Sequence, residues 1–344
     1  MKLPEFFSID IGNHSIKLAQ VKREGEKAGT LQHIISAPTD ASLLDNASEE
    51  GLKRLAEQIK QAKKIAGIGT NNCVAAVPET PIFSRLLSIP KVEDAKIEET
   101  VHWELKPLIP VPLEDVDVAF VDIGEKKVND QIMVDMYVVA APKTLTTRFK
   151  HLADLAGLEL LAIETESLAN TRTITFNQET AKDIMIVDFG AVSTDLIVAR
   201  GGIPVFSQSI STGSDALTKA IAADYGLGAE EAEKYKRSFG IRFDAGEGKI
   251  ARSIEPIMQI IINEISRTFT YFKEKIGDSG ASTIYMCGEA AKLPGLGDYF
   301  TNKLGLTSIL VDPVAKLKIA GSAKKDLDQQ NSVGFCVAIG LALK

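Results

Sequence analysis

Short apolar runs broken by turn residues fill the first forty positions. FFSIDIG (6–12), IKLAQV (16–21) and LQHIISA (31–37) predict three short strands joined by tight turns. The period then changes. Leu52, Leu55, Ala56, Ile59, Ala62 and Ile65 recur at helical spacing and predict a helix over about 49–66. CVAAV (73–77) reads as a buried strand stopped by Pro78. Three strands, a helix and a strand make the opening half of a ribonuclease H-like layered α/β unit.

The opening recurs. FFSIDIGNHSIKLAQV (6–21) aligns without gaps on IMIVDFGAVSTDLIVA (184–199), with Asp10 on Asp188, Gly12 on Gly190, Ser15 on Ser193 and Leu18 on Leu196. IPVFSQSI (203–210) supplies a third strand to the second copy. Because both copies sit in a strand–turn–strand context, an internal duplication is expected, giving two similar lobes with a cleft between them.

Two stretches depart from the repeat. Residues 80–155 read as a strand (Phe83–Ile89), a helix (about 93–106), a bend at Pro107, Pro110 and Pro112, two strands (116–123 and 131–140) and a helix (143–156). That is a small inserted α+β subdomain. Residues 214–258 carry helices at 214–224 and 229–237 and a glycine-rich turn at Gly246 and Gly248. A long amphipathic helix at about 251–276 then presents Ile254, Ile257, Met258, Ile261, Ile265, Phe269 and Phe272 along one stripe. The expected organisation is a first lobe from 1–79 with 156–180 and 333–344, the insertion at 80–155, a second lobe from 181–213 with 259–332, and a small helical insertion at 214–258.

Composition narrows the class. A chain of 344 residues is about two domains long and can bury a core without metals or disulfides. Its 45% hydrophobic and 25% charged residues are ordinary globular values. Lys and Arg total 39 against 46 Asp and Glu, a net charge of −7 with no long basic run, which argues against a sequence-independent nucleic-acid binder. Cys73, Cys287 and Cys336 are far apart with no CxxC, so they are expected to be reduced and buried. The longest apolar run, Val333 to Leu343, spans 11 residues, too few to cross a bilayer. A soluble protein is expected, with any membrane link supplied by a partner.

The candidate chemistry lies in the two repeated turns. Asp10-Ile-Gly12-Asn13-His14-Ser15-Ile-Lys17 places a carboxylate at a strand end and then a turn in which Gly12 lets backbone N–H groups approach an anion. Ser15 and Lys17 add donors for phosphate oxygens. Asp188-Phe-Gly190-Ala191-Val-Ser193-Thr194-Asp195 repeats the device. Either motif alone is explained by a strand-ending turn. Facing each other, the pair would hold a triphosphate, with Asp10 and Asp188 holding Mg²⁺ mainly through waters. After the strand STIYM, Gly288, Glu289 and Leu293 sit in a loop suited to a flat ring, though an ordinary strand-to-helix connection reads the same way. Glu264, Arg267 and Thr268 share a helix face; beside a nucleotide, Glu264 and Arg267 would suit ribose and adenine, and otherwise they form a solvated face. There is no GxxxxGK[ST], no HExxH and no GxSxG.

The order of these segments resembles the actin, FtsA and heat-shock ATPase superfamily: a first phosphate loop (8–17), a connecting segment (164–172), a second phosphate loop (186–195), an adenosine loop (284–296) and a second connecting segment (333–343). The resemblance implies ATP or ADP with Mg²⁺ in the cleft. Asn13, Ala191 and Thr194 would join the phosphate loops, and Gly213, Glu233 and Lys236 would bind from the second lobe. Glu166-Ser-Leu-Ala169 resembles the superfamily's Glu-Pro-x-Ala, which implies Glu166 as the residue positioning the attacking water, with Asp188 as the other catalytic carboxylate. His14 departs from the small hydroxyl residue of that loop, and Gly213-Ser214 from a commoner Gly-Gly.

Within the superfamily the chain is most similar to the PilM family of type IV pilus assembly, through Phe83-Ser-Arg85-Leu-Leu-Ser-Ile89-Pro90, Trp103-Glu104 and Ile109-Pro-Val-Pro112-Leu113-Glu-Asp-Val116. That resemblance implies a bacterial cytoplasmic scaffold, at most a slow ATPase, peripheral on the inner membrane. Its expected partner is the N-terminal tail of a bitopic PilN-like protein, gripped by Phe83, Leu86, Trp103, Leu105 and Ile109. Other platform proteins, motor ATPases and self-association belong to the same expectation. Two alternatives stay open. An FtsA-like anchor would need a C-terminal amphipathic membrane helix, and the sequence to Lys344 reads as core; a small-molecule kinase would need a substrate site and general base that the sequence does not display.

Overall fold

Strands β1 (Phe7–Ile11), β2 (Ser15–Arg23) and β3 (Gly29–Pro38) form an antiparallel meander, and after helix α1 (Glu49–Ala66) strand β4 (Asn72–Val77) returns parallel to β1. The structure is a computed structural model describing residues 3–25, 27–39, 48–178, 183–276, 283–325, 327 and 332–344. Helix α1 starts where the Ser48 hydroxyl accepts from the Gly51 amide at 3.0 Å, and it stops at Gly67, whose φ of 71° favours glycine. Every residue of β1 is buried, and the pleat sorts them. Phe7, Ile9 and Ile11 enter the core with Leu52, Leu55 and Ile59 of α1. Ser8 and Asp10 face the other way, and Ser8 donates to the Ala19 carbonyl at 3.0 Å.

The chain between β4 and the next strand of that sheet builds a separate three-stranded sheet. Strand β5 (Phe83–Pro90), helix α2 (Asp94–Leu105), β6 (Val116–Val128) and β7 (Gln131–Pro142) give the order β5-β7-β6. One face of this sheet packs on α2 through Leu87, Ile89, Val101, Leu105 and Met136. Helix α3 (Lys143–Ala156) then packs beside α1, and β8 (Glu159–Thr165) pairs parallel to β4. Strand β8 went unread in the sequence although residues 160–163 are apolar; it is an edge strand, partly exposed along most of its length. Helix α4 (Glu166–Asn177) is capped by the Thr165 hydroxyl.

The duplication is present. Strands β9 (Asp183–Phe189), β10 (Thr194–Arg200) and β11 (Ile203–Ile210) repeat the meander, and β12 (Thr283–Cys287) and β13 (Thr307–Leu310) extend the sheet on the β9 side. Helices α5 (Ser214–Tyr225), α6 (Ala229–Phe239), α7 (Lys249–Ile276) and α8 (Leu296–Leu304) accompany it. Ile254, Met258, Ile261 and Ile265 of α7 are buried in its core. One boundary needs correction. Residues 259–332 do not all belong with the second sheet, because β14 (Leu317–Ile319) pairs in parallel with Gly29–Leu31 at the far edge of the first. The chain must cross back to seat helix α9 (Cys336–Ala342) on the first sheet, and three residues are too short a run to announce a strand.

Helix α9 closes against α4 at very short range. A Cβ on Gly340 would overlap the Ala169 carbonyl oxygen. Arg172 donates to the Gly340 carbonyl at 2.8 Å and Thr173 to the Cys336 carbonyl at 2.6 Å, so the two helices cannot slide apart without losing both bonds. Gly340→Ala is therefore expected to destabilise the fold by about 1–3 kcal/mol, read as a lower urea midpoint.

Candidate functional site

The two repeated turns face each other across a cleft of about 830 Å³ between the two large sheets. Each turn closes in the same way: the Gly12 amide donates to the Ser15 carbonyl at 3.0 Å, and the Gly190 amide to the Ser193 carbonyl at 3.0 Å. Asp10, Gly12, Asn13, Ser15 and Lys17 line the cleft from one side; Asp188, Gly190, Ala191 and Ser193 line it from the other. Thr194 and Gly213 do not line it but shape it. Thr194 donates to the Thr212 carbonyl at 2.7 Å, and a Cβ on Gly213 would overlap the Ala191 carbonyl. That close approach lets the Ser214 and Asp215 amides at the head of α5 donate to Gly190 and Ala191 at 3.0 and 2.9 Å. His14 spans the mouth, its Nε2 lying 3.0 and 3.1 Å from the two Asp215 oxygens.

Register breaks the symmetry of the repeat. Lys17 sits opposite Asp10 on β2, whereas the equivalent position opposite Asp188 on β10 is Asp195. With Glu166 at the head of α4, four carboxyl groups gather here, and Lys17 acts on Asp10 and Asp188. Burial, together with neighbouring carboxylates, raises the proton affinity of the set. Burial lifts Asp10 to about 6, with Lys17 opposing and Asp188 adding to the rise. Burial raises Asp188 as well, against the Asn170 amide and Lys17. Glu166 and Asp195 are pushed well up by burial and then by the other carboxylates around them. Asn170, one turn after Glu166, donates to Asp188 at 2.6 Å.

Two polar atoms here have no partner: Asp195 Oδ1 and Asn170 Oδ1 are both buried and unbonded. An acid-rich pocket with orphaned acceptors fits a bound cation. Among the described residues no three His, Cys, Asp or Glu side chains converge tightly enough to ligate one ion directly, so the donor set suits a hydrated divalent cation bound through its waters.

The cleft is also lined by Glu233 and Lys236 of α6 and by Gly288, Glu289 and Leu293. Burial would raise Glu233, but Arg237, Lys236 and Thr218 bring it down to about 2. Lys236 is itself buried and donates to the Thr218 hydroxyl at 2.8 Å and the Ser214 carbonyl at 3.1 Å. Gly288, with φ 86°, passes so close to Asp188 that a Cβ there would overlap its carboxylate. Glu289 lies against Gly334 in the same manner.

Some expected residues lie elsewhere. Glu264 and Arg267 are not at the cleft. They pair with each other at 2.7 Å, and Gln208 of β11 donates to Glu264 at 3.3 Å, because this stretch of α7 runs beside β11. The five expected partner residues do not share one surface either. Leu105 is fully buried and Ile109 nearly so inside the inserted sheet's own core, while Trp103 is 77% exposed on the opposite side of α2. Phe83 leans on that core, and Leu86, on the alternate parity of β5, faces the large sheets with Ser84. A helix turning 3.6 residues per turn sends positions two apart in opposite directions. Asn170 and Asp215 belong to no motif, and Asp195 reads in the sequence only as the end of the second turn. Aligning Asp195 with Lys17 and counting one turn from Glu166 to Asn170 would have found two of them.

Comparison with known proteins gives a consistent picture. The family model described as type IV pilus assembly protein PilM matches residues 8–344. The solved PilM–PilN type IV pilus biogenesis complex superposes with a TM-score of 0.85 at 25% identity, covering 99% of this chain and 98% of that one. MreB5 of Spiroplasma citri, solved bound to AMPPNP, shares the fold with a TM-score of 0.55 at 16% identity over 99% of this chain and 95% of that one. The cell division protein FtsA of Bacillus subtilis (strain 168) is 23% identical over 283 residues, 71% of this chain, and the match spans 60% of the length of FtsA. The fold is actin-like.

Proposed function

This chain belongs to the type IV pilus assembly protein PilM family, and we propose that it acts as a nucleotide-binding, actin-like scaffold that holds the N-terminal tail of a PilN-like membrane protein. The observation that carries the reading is the whole-length likeness to a PilM solved with PilN, combined with a duplicated pair of glycine turns facing each other over an acidic cleft. FtsA is a fold relative. No helix among the described residues is long and apolar enough to cross a membrane. We place the protein in the bacterial cytoplasm, peripheral on the inner membrane through its partner.

ATP or ADP with Mg²⁺ is the ligand that the cleft fits. The N–H groups of the Gly12–Ser15 and Gly190–Ser193 turns and the Lys17 ammonium would receive the phosphates. Asp10, Asp188 and Asp195 would hold the hydrated cation, and Glu233 and Lys236 would meet the nucleoside. Bound Mg²⁺ supplies charge neutralisation on the phosphates. Glu166 would orient water; burial and its acidic neighbours raise its proton affinity. We expect slow turnover. Hydrolysis at many turnovers per second by the protein alone would favour the small-molecule kinase reading instead.

We place the tail site at the junction of the inserted sheet with the two lobes, on the face of β5 that carries Leu86 and turns Ser84 toward β11. Ordering a short tail limits affinity to about micromolar, roughly −8 kcal/mol. A labelled synthetic tail with an Asn-Leu-Leu-Pro-like core is expected to bind the wild type, to bind Leu86→Asp at least about tenfold more weakly, and to bind Trp103→Ala unchanged. Equal binding by Leu86→Asp would move the site elsewhere, and no binding by the wild type would remove the PilN reading.

A further inference from the structure

Glu79 follows β4 by two residues and is only 4% exposed, yet it has no ion-pair partner among the described residues. Its carboxylate accepts from the Ser207 hydroxyl of β11 and, at 3.3 Å, from the amide of Ser167, the neighbour of Glu166. Ser207 also lies 2.6 Å from the Ser84 hydroxyl of the inserted sheet. Tyr137 of that sheet reaches Ser167 at 3.5 Å, and Thr80 meets Ser209 of β11 at 3.1 Å. One buried carboxyl therefore joins the second sheet and the head of α4 directly, and the inserted sheet through Ser207 and through Ser167 with Tyr137. Its charge also reaches the cleft: Glu79 and Asp188 disfavour each other's ionised form, and Glu79 adds to the rise at Glu166 and Asp195.

We propose that Glu79 is the positioning residue that couples occupancy of the cleft to the seating of the inserted sheet. Burial, with Asp188 nearby, raises the proton affinity of Glu79. A cation held by the cleft carboxylates favours the Glu79 anion, and an anion holds the Ser207 and Ser167 donors more strongly than a neutral acid does. Ser84 shares the Ser207 hydroxyl, so β5 follows. The stronger hold is the differential interaction by which the ligand distinguishes the two seatings. This proposal rests on the reading that Mg·nucleotide occupies the cleft.

The test is amide hydrogen exchange of the full chain with and without Mg·AMPPNP, beside a thermal-shift titration that reports nucleotide binding separately. In the wild type, exchange in 83–90 and 131–142 is expected to slow at least about fivefold on nucleotide binding. Glu79→Gln keeps the shape and acceptor oxygen but not the charge. It is expected to bind nucleotide within about threefold of wild type and to transmit no change to those strands. Ser207→Ala, which leaves the charge in place and cuts the shorter link to Ser84, should weaken the transmitted change in 83–90 and guards against a misfolded Glu79→Gln. A wild type that binds nucleotide without altering the inserted sheet overturns the coupling alone, as does a Glu79→Gln protein that transmits fully. A wild type showing no thermal shift overturns the nucleotide reading and this proposal with it.

Discussion

Mg·ATP at about 100 times its Kd is expected to stabilise the wild-type protein by about 2.7 kcal/mol, and Asp188→Asn to abolish that gain while leaving the empty protein at least as stable as wild type. The two effects have opposite signs for one reason. Asp188 is packed against Gly288 and shares its surroundings with Asp10, Asp195 and Glu166, with Lys17 the nearby cation. Without a ligand, its negative charge is a cost to the fold, and an isosteric amide relieves it. With a ligand, the same charge is the acceptor for the cation's water shell. A thermal scan of both proteins with and without Mg·ATP separates the terms. An Asp188→Asn protein that keeps the full ligand-dependent shift would show that the cation is held elsewhere.

The empty protein is expected to be more stable in mild acid than at neutral pH, through the same cluster. Asp10 carries the clearest share. Its pKa is 3.8 in the unfolded chain and about 6 in the fold, so the folded state binds a proton that the unfolded state releases in between. The contribution is fully present below 3.8 and is lost as pH rises through about 6. The interval corresponds to about 3 kcal/mol for this one group. Urea unfolding of wild type and Asp10→Asn between pH 4 and 7 should show the wild type losing that amount relative to the variant as pH rises. Saturating Mg·nucleotide should flatten the wild-type profile, because a bound cation replaces the proton. A wild type that instead gains stability over Asp10→Asn with rising pH would mean that Asp10 is ionised and paired in the empty fold.

Period and spacing along the chain determined a good deal. The alternation in FFSIDIG and its gap-free echo in IMIVDFG specified the duplication. The stripe from Leu52 to Ala62, with Ser48 before it and Gly67 after it, specified a helix at 49–66. These features are local: a strand's pleat and a helix's turn are set by neighbours within a few residues. The two turn motifs carried their own chemistry for the same reason, since the Gly12–Ser15 and Gly190–Ser193 bonds close within four residues.

Only the tertiary structure decided which side chains meet across the repeat. Strand register put Lys17 opposite Asp10 and Asp195 opposite Asp188, turning two similar loops into an unbalanced acidic cluster. The rotation of α7 beside β11 removed Glu264 and Arg267 from the cleft, whereas Glu233 and Lys236 line it. The winding of α2 split Trp103 from Leu105. Glu79 has no motif at all: its bond partners lie 88 and 128 residues away in sequence. Such contacts depend on how separately legible elements stack, and stacking is set by the summed burial of many side chains rather than by the spacing of any few.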